Sequence, residues 1–235
     1  MKTSRYSLRS YWDELTDGFR RMGREQSFNL VYGSYFERHR HYHTLDHIKE
    51  MFAHFEEHRG KLKDPQSVIA AIFYHDVIYN TSPTALKSGT SNEEASAELA
   101  SKELRQMGYD QGFIDRVKFL IMRTQDHKVD ANKDPDAALF LDIDMAVLGR
   151  EPEEYKQYSD QIRSEYSFLS DADYCKGRLE KFIRPILQSG PIFHTESFRN
   201  LYEEQARKNL TAEQRQLEQK LWYINNQNRR PPYMR

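Results

Sequence analysis

Apolar residues recur along this chain at intervals of three and four, the spacing of a helix face. Between about 7 and 22 the face is Leu8, Tyr11, Trp12, Leu15, Phe19 and Met22; between about 25 and 37 it is Phe28, Leu30, Val31, Tyr35 and Phe36. A polar connection, Arg38-His39-Arg40-His41-Tyr42-His43, separates these from a helix predicted over Leu45 to His58 by Ile48, Met51, Phe52 and Phe55. Asp64-Pro65 reads as an N-cap followed by proline in the first turn, opening a helix over about 65–79. A Ser/Thr/Pro/Gly-rich loop follows from Thr81 to Ser91. Asn92 is expected to cap the next helix, with Glu93 and Glu94 in its first turn and Gly108 at its end.

The pattern continues through a segment over 113–123 and a second cap-plus-proline start at Asp134-Pro135, whose helix Gly149 closes. Pro152 starts another, and one over about 171–188 breaks at Gly190-Pro191. The last two are predicted over about 196–208 and 211–226, with Thr211 and Gln214 matching a capping box. Alternating β-branched runs flanked by tight-turn dipeptides are missing. The expectation is all-α, about ten helices. With no repeat and no shift in composition to mark a boundary, one domain is expected over residues 1–235. The basic, proline-containing tail from Asn228 is expected to be loose or to pack on a neighbouring subunit, which leaves a homo-oligomer open.

Composition narrows the class. Of 235 residues 38% are hydrophobic and 30% charged, and 15 Tyr and 13 Phe supply bulky core material, so a folded globule is expected. A net charge of -1 offers no basic field for nucleic acid. The lone Cys175 excludes an internal disulfide framework and fits a reducing compartment. No apolar run follows Met1 and none is long enough for a bilayer, so a cytoplasmic protein without secretory leader or membrane span is expected.

The chemistry gathers around Ala70-Ala71-Ile72-Phe73-Tyr74-His75-Asp76-Val77-Ile78-Tyr79, an apolar run ending in adjacent His and Asp. Two such groups buried side by side need compensation, from a hydrogen-bonded pairing or from a divalent metal. Seven of the nine histidines lie between positions 39 and 75. His43 and His47, four apart, could face one pocket. A metal site needs three or four converging groups; His47, His75 and Asp76 supply three. Asp142 or Asp144, both interrupting the apolar run 139–148, could supply the fourth, the other facing solvent. His54 and His58 lie in a charged run and read as an exposed face. Cys175 has no nearby His or Cys partner to make it a nucleophile. Gly-rich phosphate loops and a Gly-x-Ser-x-Gly elbow are both missing.

Taken in order, Tyr42-His43-Thr44-Leu45-Asp46-His47, then His75-Asp76, then Leu141-Asp142-Ile143-Asp144-Met145-Ala146-Val147-Leu148-Gly149 resembles the HD superfamily of metal-dependent phosphohydrolases. Within it, Asn92-Glu93-Glu94-Ala95-Ser96-Ala97, Gly177-Arg178 and Ala206-Arg207-Lys208-Asn209-Leu210 are similar to a bacterial group of predicted HD phosphohydrolases, over roughly residues 10–225. The resemblance implies His47, His75, Asp76 and Asp144 as metal ligands, Asp144 being preferred to Asp142 for its place before a Leu-Gly helix end. It implies one or two divalent ions, Mn, Mg, Co, Ni, Fe or Zn, and a phosphorylated small molecule such as a nucleotide as substrate. His43 would then be a general acid for the leaving oxygen. Glu93 or Glu94 would orient the attacking water, unless both merely complement their helix end. His127 would serve a second metal or touch phosphate, unless it is only a cap. Lys87, Arg123, Lys128, Arg178 and Arg207 are candidates for holding phosphate. Two other readings stand beside this one. One is a di-iron oxygenase of the same fold, which carries two further His ligands where only His127 stands here. The other is a nucleotide-binding module without catalysis.

Overall fold

The side chain of Asp64 accepts a hydrogen bond from the Ser67 amide and Pro65 takes the first helical position, so a helix starts where the sequence predicts one. The computed structural model describes residues 7–19, 21–82 and 89–227; Lys87 and the tail from Asn228 lie outside the described residues. In chain order the helices are α1 (Leu8–Leu15), α2 (Arg21–Ser34), α3 (Leu45–His58), α4 (Pro65–Tyr74), α5 (Asn92–Met107), α6 (Gln111–Arg123), α7 (Pro135–Met145), α8 (Pro152–Glu165), α9 (Asp171–Arg178), α10 (Arg184–Gln188), α11 (Glu196–Phe198) and α12 (Glu204–Gln227). One π turn, Leu179–Ile183, joins α9 to α10, and a second, Arg199–Glu203, joins α11 to α12. Counting each joined pair once leaves ten helices and no strand among the described residues, and the fold is all-α. No helix there is long and apolar enough to cross a membrane.

The chain divides at the end of α7 into two compact units, Met1–Asp144 and Met145–Arg235. In the first, α4 packs against α1, α3, α5 and α6. Every residue from Ser67 to Tyr74 is buried, as a helix apolar on all sides requires. Tyr11 of α1 stacks on Phe52 of α3 with ring centroids 4.0 Å apart, and Trp12 meets Phe73 of α4 edge-on at 5.2 Å. These aromatic contacts bind α1, α3 and α4 into one core.

Four local expectations fail in this unit, the first being that the helix predicted over about 7–22 ends at Leu15, ahead of Gly18 at φ +87°. The helix expected to reach 79 ends at Tyr74, with His75 as its C-cap. Side chains, not helical amides, satisfy most of the carbonyls beyond it, as described below. Ser91, not Asn92, caps α5: it accepts from the Glu94 amide while Glu94 accepts from the Ser91 amide. Asn92 is used elsewhere, accepting from the Asn80 amide at 2.9 Å. His54 and His58, expected on an exposed face, are buried. The His58 Nδ1–H donates to the His54 carbonyl at 3.0 Å. The charges of that run go into pairs of Arg59 with Glu14 and Glu56 at the end of α3.

In the second unit α12 packs on α9 and on a 3-10 turn, Ala146–Gly149. The Asn209 amide donates to the carbonyls of Leu148 (2.8 Å) and Arg150 (2.7 Å), closing that turn. A Cβ on Gly149 would come within 2.8 Å of the Tyr202 Cα, so only glycine fits. The two helices expected to meet at Thr211 are one: Ala206, Leu210 and Glu213 form a buried face that runs past it. The irregularity lies upstream, in the π turn Arg199–Glu203.

Candidate metal centre

Thr44 caps α3, its side chain accepting from the Asp46 amide, and this puts His47 in the first turn. His75 terminates α4, and Asp76 stands at the start of the turn that follows. Asp144 lies in the last turn of α7. The three elements converge. His47 Nε2 is 3.1 Å and His75 Nε2 3.6 Å from Asp144 Oδ1, with the two imidazole centroids 5.5 Å apart. One ligand atom each from His47, His75 and Asp144 lies within 4.8 Å of the others, and this group could hold a metal ion. Asp76 Oδ2 approaches the same His75 nitrogen at 3.0 Å, and His43 Nε2 lies 3.9 Å from that oxygen. His127 Nε2–H donates to the other oxygen of Asp144, Oδ2, at 3.3 Å.

The donor set suits a cation. The His75 Nδ1–H donates to the Ile72 carbonyl at 3.0 Å, so in the neutral ring Nε2 carries a lone pair. That nitrogen is buried and has no well-aligned hydrogen bond, although two carboxylates face it. A positive charge relieves the arrangement, either a proton on His75 or a metal ion among the groups. Burial disfavours the imidazolium, but the Asp76 and Asp144 charges outweigh it and raise the His75 pKa to about 9. Burial works against the charged form of Asp76 too, yet His75 and His43 hold that carboxyl below the usual range. Asp144 is likewise held well below it, by His127, His47 and His75 against burial. Both carboxylates are thus ionised near neutral pH. Tyr42 Oη sits 3.1 Å from His47 Nδ1; a hydroxyl can donate or accept, so it serves either tautomer of that ligand.

Asp142, expected to point to solvent if Asp144 did not, is itself buried at 1% exposure and stands outside the group. Both aspartates are enclosed because α7, like α4, is apolar on all sides. His127 adopts φ +50°, a left-handed conformation that costs a non-glycine residue about 1 kcal/mol. Glu94 is exposed and occupied by its capping box, and Glu93 is half-buried beside it. Neither is bonded to the histidine–aspartate group. Arg123 pairs with Asp126 at 3.2 Å, and the exposed Lys128 follows His127 directly. Arg178 and Arg207 belong to the second unit. There Arg178 is buried against Glu213 and Tyr158, and Arg207 pairs with Glu203 at 2.7 Å.

Sequence reasoning missed the residues that hold the group in place. The carbonyls of Asp76 to Tyr79 each accept from a side chain: Asp76 and Val77 from Arg40 (2.7 and 3.0 Å), Ile78 from Ser96 (3.2 Å), Tyr79 from His39 (2.6 Å). The ring of Tyr79 in turn stacks on His43 at 4.0 Å. Nothing in the alternating Arg-His run marks Arg40 rather than Arg38 as the buried one, since loop residues show no periodicity to read. No family model matches the chain, and no curated protein or solved structure matches it.

Proposed function

We propose that the chain is a metal-dependent phosphohydrolase of the HD kind, acting in the cytoplasm on a phosphomonoester or phosphodiester of a small, nucleotide-like molecule. The observation that carries this reading is the convergence of His47, His75 and Asp144, with the buried His75 Nε2 faced by two carboxylates. His47, His75 and Asp144 would hold the ion, and Asp76, 3.0 Å from His75 Nε2, would join them or bridge to a second. A divalent ion bound there supplies an activated water near neutral pH and offsets charge on the phosphoryl oxygens. His43 stands at the edge of the group, packed on Tyr79 and 3.9 Å from Asp76, where it can protonate the leaving oxygen. His127 fixes the far oxygen of Asp144. Arg123 and Lys128, in the same turn as His127, are the first cations to test for phosphate contact.

The test is a screen of mono-, cyclic and polyphosphorylated nucleotides with added Mn, Co, Ni or Mg, run beside Asp76→Ala. Turnover that needs the metal and vanishes in the variant is expected. Equal turnover by Asp76→Ala overturns the reading. Oxygen consumption by iron-loaded protein would favour an oxygenase instead, and tight nucleotide binding without product release a binding module.

A further inference from the structure

Resting on that reading, we infer that Arg40 is the positioning residue of the centre: it fixes the spacing between His43 and the His75–Asp76 turn without touching substrate or metal. The guanidinium is wholly buried, and its contacts span both sides of the site. Nη1 donates to the Asp76 carbonyl (2.7 Å) and to the His43 carbonyl (3.3 Å). Nη2 donates to Val77 (3.0 Å), and Nε to Glu37 (2.9 Å). The cation also lies 5.1 Å from the ring centroid of Tyr35 and 5.5 Å from that of Tyr79, the ring on which His43 stacks.

The turn after α4 has no helical amides for these carbonyls. Two adjacent ones, at Asp76 and Val77, depend on a single side chain. That side chain also holds the backbone of His43, 33 positions from Asp76 in sequence. A guanidinium suits this task because its donors form a rigid planar fork. A lysine ammonium keeps the charge and the stem but cannot reach three carbonyls in fixed directions.

The experiment compares wild type, Arg40→Lys and Arg40→Gln with Arg59→Met. Arg59 also pairs with two carboxylates, but at the opposite end of α3 from His47. Mn affinity is read by titration calorimetry, folding by circular dichroism and thermal melting, and kcat and KM on whichever phosphoester wild type turns over. Arg40→Lys is expected to fold and to bind Mn ten- to a hundredfold more weakly, the usual effect of removing a group that orients metal ligands. In the same variant kcat should fall more than KM changes, and His43→Ala should cost less in Arg40→Lys than in wild type. Arg59→Met should melt earlier with Mn affinity intact. Unchanged Mn affinity in both Arg40 variants, or failure of Arg40→Lys to fold at all, overturns the inference. Wild type that binds no Mn sinks the phosphohydrolase reading itself, a result separable from the other two.

Discussion

His47 and Asp144 stand 97 positions apart in the chain and meet with Nε2 3.1 Å from Oδ1. Asp144 spends its other oxygen on His127 at 3.3 Å. One carboxylate therefore joins three elements: the start of α3, the end of α7 and the turn after α6. Its removal should unmake the centre rather than weaken it. Asp144→Asn is expected to abolish metal binding. At a metal concentration a hundred times the dissociation constant, wild type should gain about 2.7 kcal/mol of stability. The variant should gain none, as differential scanning with and without Mn would reveal.

His75 couples the centre to pH. Its pKa is raised from 6.5 to about 9, so without metal its stabilising charge is complete below about pH 6.5 and is lost as pH rises through 9. Stability of the metal-free protein should fall over that interval by about 3 kcal/mol, shared with the carboxylates it faces. A metal must displace the same proton. Mn affinity should therefore rise about tenfold per pH unit below 9 and level off above it. A pH-independent affinity between 6 and 8 would contradict the assignment of His75.

At His127 backbone and side chain pull in opposite directions. Glycine there would release the left-handed strain, about 1 kcal/mol, and lose the bond to Asp144. His127→Gly is expected to melt below wild type but above His127→Ala, while binding metal more weakly. His127→Ala should lose on both counts. Melting curves and calorimetry on the pair separate the two effects.

If His43 protonates the leaving oxygen, its removal matters only for leaving groups that need the proton. His43→Ala should slow hydrolysis of an alkyl or nucleoside phosphoester about 10²- to 10⁴-fold. A nitrophenyl ester, whose leaving group departs as the anion, should be slowed far less. Equal losses on both substrates would make His43 a positioning group.

Arg178, one of the cations expected to hold phosphate, is committed to Glu213 through two hydrogen bonds and to Tyr158 at 3.3 Å. Glu213→Gln would leave that cation buried without its counter-charge. Urea unfolding should show a loss of about 3–5 kcal/mol. A smaller loss with weakened substrate binding would return Arg178 to the list of phosphate ligands.

Much of this molecule was readable from local pattern. Asp64-Pro65, Asp134-Pro135 and Gly108 mark helix ends by chemistry that needs no tertiary context, and each lies at a helix boundary. The meeting of His47, His75 and Asp144 was legible only as a set, through resemblance in order and spacing. What escaped depends on tertiary packing. His54 and His58 look like a solvated run until Arg59 is seen to pair with Glu56 and with Glu14 of α1 at the end of α3. Thr211 carries a capping signal that the buried face of Ala206, Leu210 and Glu213 overrides. Arg40 is a charge in a loop, and only the geometry of carbonyls 36 and 37 residues away reveals what it does.

Two helices, α4 and α7, deliver their carboxy-terminal ends to the centre, at His75 and Asp144. Each such end carries about half a negative charge, added to two ionised aspartates. Without metal the His75 proton offsets part of that charge, and what remains favours a second cation over an anion at this group. On the phosphohydrolase reading the cation therefore binds before the phosphoester, and phosphoester affinity should be lower without metal than with it.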